Sequence, residues 1–253
     1  MSKAVQVRGV RLGEGIPKIC VPLTGVTPEE VVEEAALLCQ SKADLAEWRV
    51  DHFADAQDSG AVTAMLKRLR EALGDLPLLF TFRTGKEGGR QVLPLTAYLA
   101  LNKKAAATGL VDLLDVEYSA GEDVCRELIT AAHANQVAVV MSSHDFQGTP
   151  LQQEMVSLMR DMRRMGGDIP KVAVMPQSAA DVLALLAAGE QYARDADCPV
   201  ITVSMSQLGC VSRIAGELSG SCLTFGTVSG ASAPGQLSAD DVYRVLHLLH
   251  GWQ

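Results

Sequence analysis

Eight short, nearly unbroken apolar runs, each followed by a stretch patterned for a helix, constrain this 253-residue chain more than any other feature. The runs are PKICVPL (17–23), DLAEWRVD (44–51), LLFTFR (78–83), VDLLDVE (111–117), VAVVMSSH (137–144), KVAVMP (171–176), PVITVSM (199–205) and CLTFGTV (222–228). Strands without strict polar alternation, separated by helices, belong to a parallel sheet covered on both faces. Helix starts fall between the runs. Thr27 and Pro28, followed by Glu29 and Glu30, offer an N-cap, a first-turn proline and early acids. Thr149 and Pro150 open LQQEMVSLMRDMRRM in the same way, Gly166 and Gly167 close it, and Ser178 and Ser238 cap two later helices. About eight strand–helix units predict an α/β fold of the (β/α)8 TIM-barrel type. It is read as one domain over residues 1–253, and the alternation in VQVRGVRLG (5–13) adds a short N-terminal β-hairpin. A doubly wound sheet is the alternative, but no GxGxxG follows the first strand.

Hydrophobic residues make up 48% of the chain and charged residues 21%, enough to bury one large core. The net charge of −8 argues against a nucleic-acid surface. It leaves room for a small anionic substrate, because a few inward arginines reverse the local potential. Six cysteines without a CxxC pair suit free thiols in a reducing, cytoplasmic setting better than disulfides or a zinc site. No apolar run approaches the ~18 residues of a membrane span.

Barrel enzymes place their chemistry at the C-terminal ends of the strands, and here those ends are polar. Glu47 and Arg49 share one face of the second strand; Arg83 ends the third, and the Gly-rich TGKEGGR behind it carries Glu87. His144 and Asp145 end the fifth strand, Ser212 and Arg213 follow the seventh, and SGASAPGQ after the eighth holds Ser232 and Gln236. Singly, each has an ordinary reading: an ion pair for Glu47 and Arg49, solvated loop charges for Arg83 and Glu87, turn residues for Ser232 and Gln236. His52, His133, His247 and His250 read as structural or exposed. What tips the balance is convergence with the segment IPKVAVMP (169–176), which on its own reads as a strand with Lys171 turned to solvent. It sets Lys171 inside an apolar, β-branched run, where an ammonium must find a partner, reach solvent or lose its proton. A free amine attacks ketones and aldehydes. With a histidine and several arginines at one mouth, the set points to imine formation and proton transfer on an anionic carbonyl compound. Lys171 lies early in its strand, so it must reach up from the middle of the barrel past Ala173 and Met175.

These residues, with EWRVD (47–51), FTFRTGKEGG (80–89), DVEY (115–118), VVMSSHDF (139–146), IPKVAVMPQ (169–177) and SAPGQ (232–236), make the chain resemble the type I 3-dehydroquinate dehydratase family along nearly its full length. Ser143 stands where the family commonly has Asn, His or Tyr, and Tyr118 where an aliphatic residue or Asn is usual. The resemblance implies Lys171 as the Schiff-base lysine, His144 as acid and base, and Glu87 as the carboxylate orienting that histidine. It further implies Arg213 on the substrate carboxylate, Glu47, Arg49 and Arg83 on ring hydroxyls and polar groups, and Ser232 and Gln236 on a covering loop. The implied reaction is syn dehydration of 3-dehydroquinate to 3-dehydroshikimate, with no metal or organic cofactor, in a cytoplasmic homodimer. A class I aldolase would share the strand lysine, but no Gly-rich phosphate loop follows the seventh or eighth strand. A non-catalytic binding barrel would not need Lys171 together with His144.

Overall fold

The computed structural model describes residues 4–228 and 237–251. Two short strands, β1 (Val5–Val7) and β2 (Val10–Leu12), form an antiparallel hairpin. Eight parallel strands follow: β3 (Lys18–Leu23), β4 (Leu45–Arg49), β5 (Leu78–Thr81), β6 (Leu113–Glu117), β7 (Ala138–Asp145), β8 (Ile169–Val174), β9 (Ile201–Ser204) and β10 (Leu223–Thr227). From β3 to β9 each pairs with the next in sequence, and β10 pairs with β3. The ends of the curled sheet meet at a parallel bridge between Val200 and Ser221, where Cys222 N–H donates to the Val200 carbonyl at 2.8 Å. The two-residue strand β11 (Leu237–Ser238) adds to the outer side of β10. The fold is the expected (β/α)8 barrel with its hairpin.

The wall helices are α1 (Pro28–Gln40), α2 (Ser59–Leu73), α3 (Leu95–Ala106), α4 (Glu122–Ala134), α5 (Gln152–Met165), α6 (Ala179–Asp195), the four-residue α7 (Gly216–Ser219) and α8 (Ala239–His250). Caps that the sequence offers are formed at three of them. Thr27 Oγ1 accepts from Glu30 N while Glu30 Oε2 accepts from Thr27 N, and Ser178 with Asp181 repeats the device. Ser238 Oγ accepts from Asp241 N. Helix α5 departs from expectation. It starts at Gln152, and its first turn is closed by Glu154 reaching back to Leu151 N–H at 2.9 Å, while the Thr149 hydroxyl donates to the Met175 carbonyl. Its end is as expected, with Gly166 in the left-handed region at φ 112°.

Two apolar layers hold the barrel. Strand residues that face outward, such as Trp48, Phe80, Leu114, Val116, Met141 and Val172, pack against the helices. Inward residues Cys20, Leu45, Leu79, Leu113, Val140, Ile169 and Ile201 form an inner cluster that also contains Val7 and Leu12 of the hairpin. The hairpin thus stoppers the N-terminal mouth. Arg8, in its turn, donates from Nε to Asp112 Oδ1 at 2.7 Å, and Asp112 also accepts from Leu78 N and Arg70 Nη1. This ties the stopper to the start of β5 and to α2.

Leu12→Ala should lower stability by about 2–5 kcal/mol, the range for a buried Leu→Ala change, measured by urea unfolding. A loss below about 1 kcal/mol, less than one such cavity costs, would mean that the hairpin lies loosely on the barrel.

Candidate active site

Alternation along the strands decides what enters the barrel. In β6 the sequence LLDVE turns Leu114 and Val116 toward the helices, which leaves Leu113, Asp115 and Glu117 for the interior. The same logic raises Glu47 above Leu45, Ser142 and His144 above Val140, and Lys171 and Ala173 above Ile169. An apolar floor therefore carries a polar upper half. At the C-terminal mouth lies a cavity of about 320 Å³, and Glu47, Arg49, Arg83, Glu87, His144, Lys171 and Arg213 all line it. The structure brings these seven together. Ser232 and Gln236 lie outside the described residues.

Lys171, the third residue of β8, is 4% exposed. Its Nζ stands 3.9 Å from Asp115 Oδ2 and 4.6 Å from the centre of the Phe225 ring. Ala173 and Met175 also line the cavity, leaving an open path above the amine. One strand away, Ser142 is in register with Lys171, and His144 with Ala173. His144 Nδ1 lies 2.9 Å from Glu87 Oε2, which also accepts from His144 N at 3.1 Å. Ser119 Oγ donates to the other oxygen, Glu87 Oε1. Burial, with Arg83, Lys171 and Arg49 nearby, holds His144 well below its ordinary pKa, so the ring is neutral. A neutral ring donating Nδ1–H to Glu87 leaves Nε2 as an acceptor. Glu87 is itself pushed up to about 7, by burial first and then by Glu117, against the pull of Arg83 and Ser119.

Arg83 organises the acids. Its Nη2 donates to Asp115 at 2.7 Å, and its Nη1 donates to Glu117 and to Ser142, each at 3.0 Å; Glu87 lies 3.6 Å from Nη1. Burial opposes its charge, but Asp115, Glu117 and Glu87 more than offset that and hold the guanidinium above its ordinary range. Glu47 accepts from Thr81 Oγ1 at 2.9 Å. Arg49 is held by Asp51, with Nε and Nη2 each donating at 2.8 Å, so the plain Glu47–Arg49 pair of the ordinary reading is not what fixes it. Arg213 comes from a short 3-10 helix (Cys210–Arg213) after β9 and is buried, which lowers its pKa.

Several residues escape the reading of strand ends. His52, taken as structural, lines the cavity. Asp115 and Glu117 sit inside a run read as simply apolar, although two acids two residues apart in a buried strand are themselves a signal of a charged interior. Ser119 carries no signal short of the contact it makes, and Asp51, although inside EWRVD, has no role assigned from the sequence. Among the described residues no group of three or more histidine, cysteine or carboxylate side chains is placed to hold a metal ion.

Residues 19–253 match the model of the type I 3-dehydroquinase family. The chain belongs to that family. It is 49% identical to a 3-dehydroquinate dehydratase of Salmonella agona over 249 residues, covering 98% of this chain and 99% of the relative. To that of Bacillus licheniformis it is 46% identical over 254 residues, covering 99% of each. A type I 3-dehydroquinate dehydratase of Clostridium difficile, solved with covalently modified comenic acid, superposes with a TM-score of 0.98 at 45% identity, covering 100% of both chains. Membership in the type I 3-dehydroquinase family makes the chain an enzyme, a lyase of the dehydratase class.

Glu87→Gln should cost activity yet stabilise the fold at neutral pH. The folded state holds the Glu87 proton up to about 7, whereas the unfolded chain releases it near the ordinary 4.5. Wild type should therefore lose stability relative to the variant as pH rises between those values, and the gap should stay constant above. Urea midpoints of both proteins at about pH 4, 6 and 8, which span that window, measure this. A gap that does not widen with pH would show that Glu87 ionises in the ordinary range.

Proposed function

We propose that the protein dehydrates 3-dehydroquinate to 3-dehydroshikimate, a shikimate-pathway step, by syn loss of water through an imine on Lys171. The observation that carries this is a buried lysine and a neutral histidine on adjacent strands, both opening on one cavity with arginines at its rim. The Clostridium difficile relative's covalently modified comenic acid supports a nucleophile in the site.

Lys171 Nζ adds to the ketone carbon, and the carbinolamine loses its oxygen as water to leave an iminium. This cation acidifies the neighbouring C–H bond. His144 Nε2 takes that proton, and the C–H electron pair neutralises the iminium as an enamine. The enamine pair then expels the hydroxyl on the next carbon, which leaves as water with the proton that His144 returns. A further water hydrolyses the conjugated iminium, freeing the product and the amine. One water is lost overall, and the lysine supplies the only electron sink the reaction calls for.

Each neighbour has a part. Asp115, 3.9 Å from Nζ, is the counter-charge for the iminium. Glu87 fixes the tautomer that presents a lone pair at Nε2. Arg213 holds the substrate carboxylate, Glu47 and Arg49 meet ring hydroxyls, and Arg83 keeps the acids in place while facing the cavity. Ser232 and Gln236 belong to the loop that covers substrate, and the same reading takes residues 1–253 as one domain working as a homodimer in the cytoplasm.

Borohydride added with 3-dehydroquinate should fix a ligand mass on wild type and none on Lys171→Ala, whose activity should fall below about a hundredth, more than acid–base help alone supplies. No adduct on wild type would sink the imine. His144→Ala should still be trapped but turn over poorly, and retained turnover would exclude it as the base.

Arg213→Lys keeps the positive charge but loses the bidentate fork. KM should rise by roughly tenfold to a hundredfold, because a charge-assisted hydrogen bond is worth about 1.5–3 kcal/mol, with kcat less affected. A substrate analogue bearing an amide in place of the carboxylate should suffer little further in the variant. Independent, multiplicative losses would reassign Arg213.

A further inference from the structure

Asp51 is the most completely engaged carboxylate near the cavity, and the mechanism above gives it nothing to do. It sits in a 3-10 turn (Val50–His52) directly after β4 and is 0% exposed. Its Oδ1 accepts from Arg49 Nε at 2.8 Å and from the backbone N–H of Arg83 at 3.4 Å. Its Oδ2 accepts from Arg49 Nη2 at 2.8 Å and from the backbone N–H of Arg90 at 3.1 Å. Residues 83 and 90 bracket the loop whose 3-10 turn (Gly85–Glu87) supplies Glu87. The neck of that loop is tight. Gly89 N donates to the Thr84 carbonyl at 2.8 Å, and a Cβ on Gly89 would stand only 1.8 Å from the Arg83 carbonyl oxygen. Glu117 anchors Thr84 on the far side, through N and Oγ1, but does not reach Arg90 or Arg49.

We infer that Asp51 is a positioning residue which locks two parts of the site together: Arg49 on the substrate side and the neck of the loop that aims Glu87 at His144. The inference rests on the imine reading above and adds to it. The arrangement of acceptors makes the coupling unavoidable. Each oxygen serves one Arg49 nitrogen and one end of the loop. An asparagine here has one acceptor oxygen and one amide that can only donate toward these donors. Whichever way it turns, one nitrogen of Arg49 and one end of the loop lose their acceptor together. Burial alone would raise the pKa of this carboxyl; the Arg49 hydrogen bonds and charge and the Arg90 amide more than reverse that, so the clamp is charged.

The test is steady-state kinetics with 3-dehydroquinate on Asp51→Asn, alone and combined with Arg49→Ala or Glu87→Gln, with borohydride trapping run on every protein. Asp51→Asn alone should both raise KM and lower kcat, each by about tenfold to a hundredfold, the range for removing a partner that orients a working group. On Glu87→Gln its kcat effect should vanish while the KM effect persists. On Arg49→Ala the KM effect should vanish while the kcat effect persists. A residue that only supports the fold would lower the amount of active enzyme equally in all backgrounds and leave KM alone; that result overturns the inference. So does an unchanged KM and kcat in a folded Asp51→Asn that still traps substrate. Failure of wild type to trap would count against the imine reading instead, and the kinetic split would still judge Asp51. Should Asp51→Asn fail to fold, Asp51→Glu keeps the charge one methylene out of place. It should show the same split between the two backgrounds, and its absence would also overturn the inference.

Discussion

Asp115, Glu117, Glu87, His144, Lys171 and Arg83 share the upper half of one barrel, and an isolated buried charge there is costly unless it is paired and hydrogen-bonded. Arg83 meets that condition. One planar guanidinium touches Asp115, Glu117 and Ser142 and stands within 3.6 Å of Glu87. Without it three carboxylates would crowd one another inside the sheet. With it, each stands partnered beside the group it serves: Asp115 beside Lys171, Glu117 under the loop at Thr84, Glu87 under His144. Arg83 reads from its position as a group that grips substrate. Its guanidinium is engaged chiefly with the protein's own acids, and its influence on chemistry passes through them.

The compensation is incomplete, and the residue is useful. Glu87 keeps its proton up to about 7, because water is far and Glu117 is close. His144 is pushed the other way, by burial first and then by the cations around it. Burial thus favours the uncharged form of each partner, with a proton between them in the Nδ1–Oε2 hydrogen bond. The geometry of the donors decides which atom carries it: the backbone N–H of His144 and the Ser119 hydroxyl both point at Glu87, so the carboxylate stays oriented whichever form it takes.

The barrel was readable in the chain because its outer face obeys a simple rule: residues such as Trp48, Phe80 and Val172 must be apolar to meet the helices, and eight such runs leave little freedom. Helix starts were readable where a side chain caps locally, as at Thr27 and Ser178. At α5 the cap comes from Glu154 inside the helix, and the Thr149–Pro150 signal misplaced the start. Residues that end a strand with a reactive group, such as His144 or Glu47, stand out against apolar neighbours, and family motifs marked the loop residues. The supporting cast did not. Asp51 lies next to a basic residue as many surface acids do, and His52 was indistinguishable from an exposed turn residue. What identifies both is the folding back of residues 83–90 onto β4, a contact between segments more than thirty positions apart.

The hairpin that stoppers the barrel has a consequence for traffic. Val7 and Leu12 close the N-terminal side, and the inner cluster beneath Lys171 includes Cys20, Leu45, Leu79, Leu113, Val140, Ile169 and Ile201. Among the described residues the interior is a well that opens at the C-terminal mouth and is filled at the other end. Whatever enters by that doorway must leave by it, so an outgoing product stands in the path of the next incoming molecule.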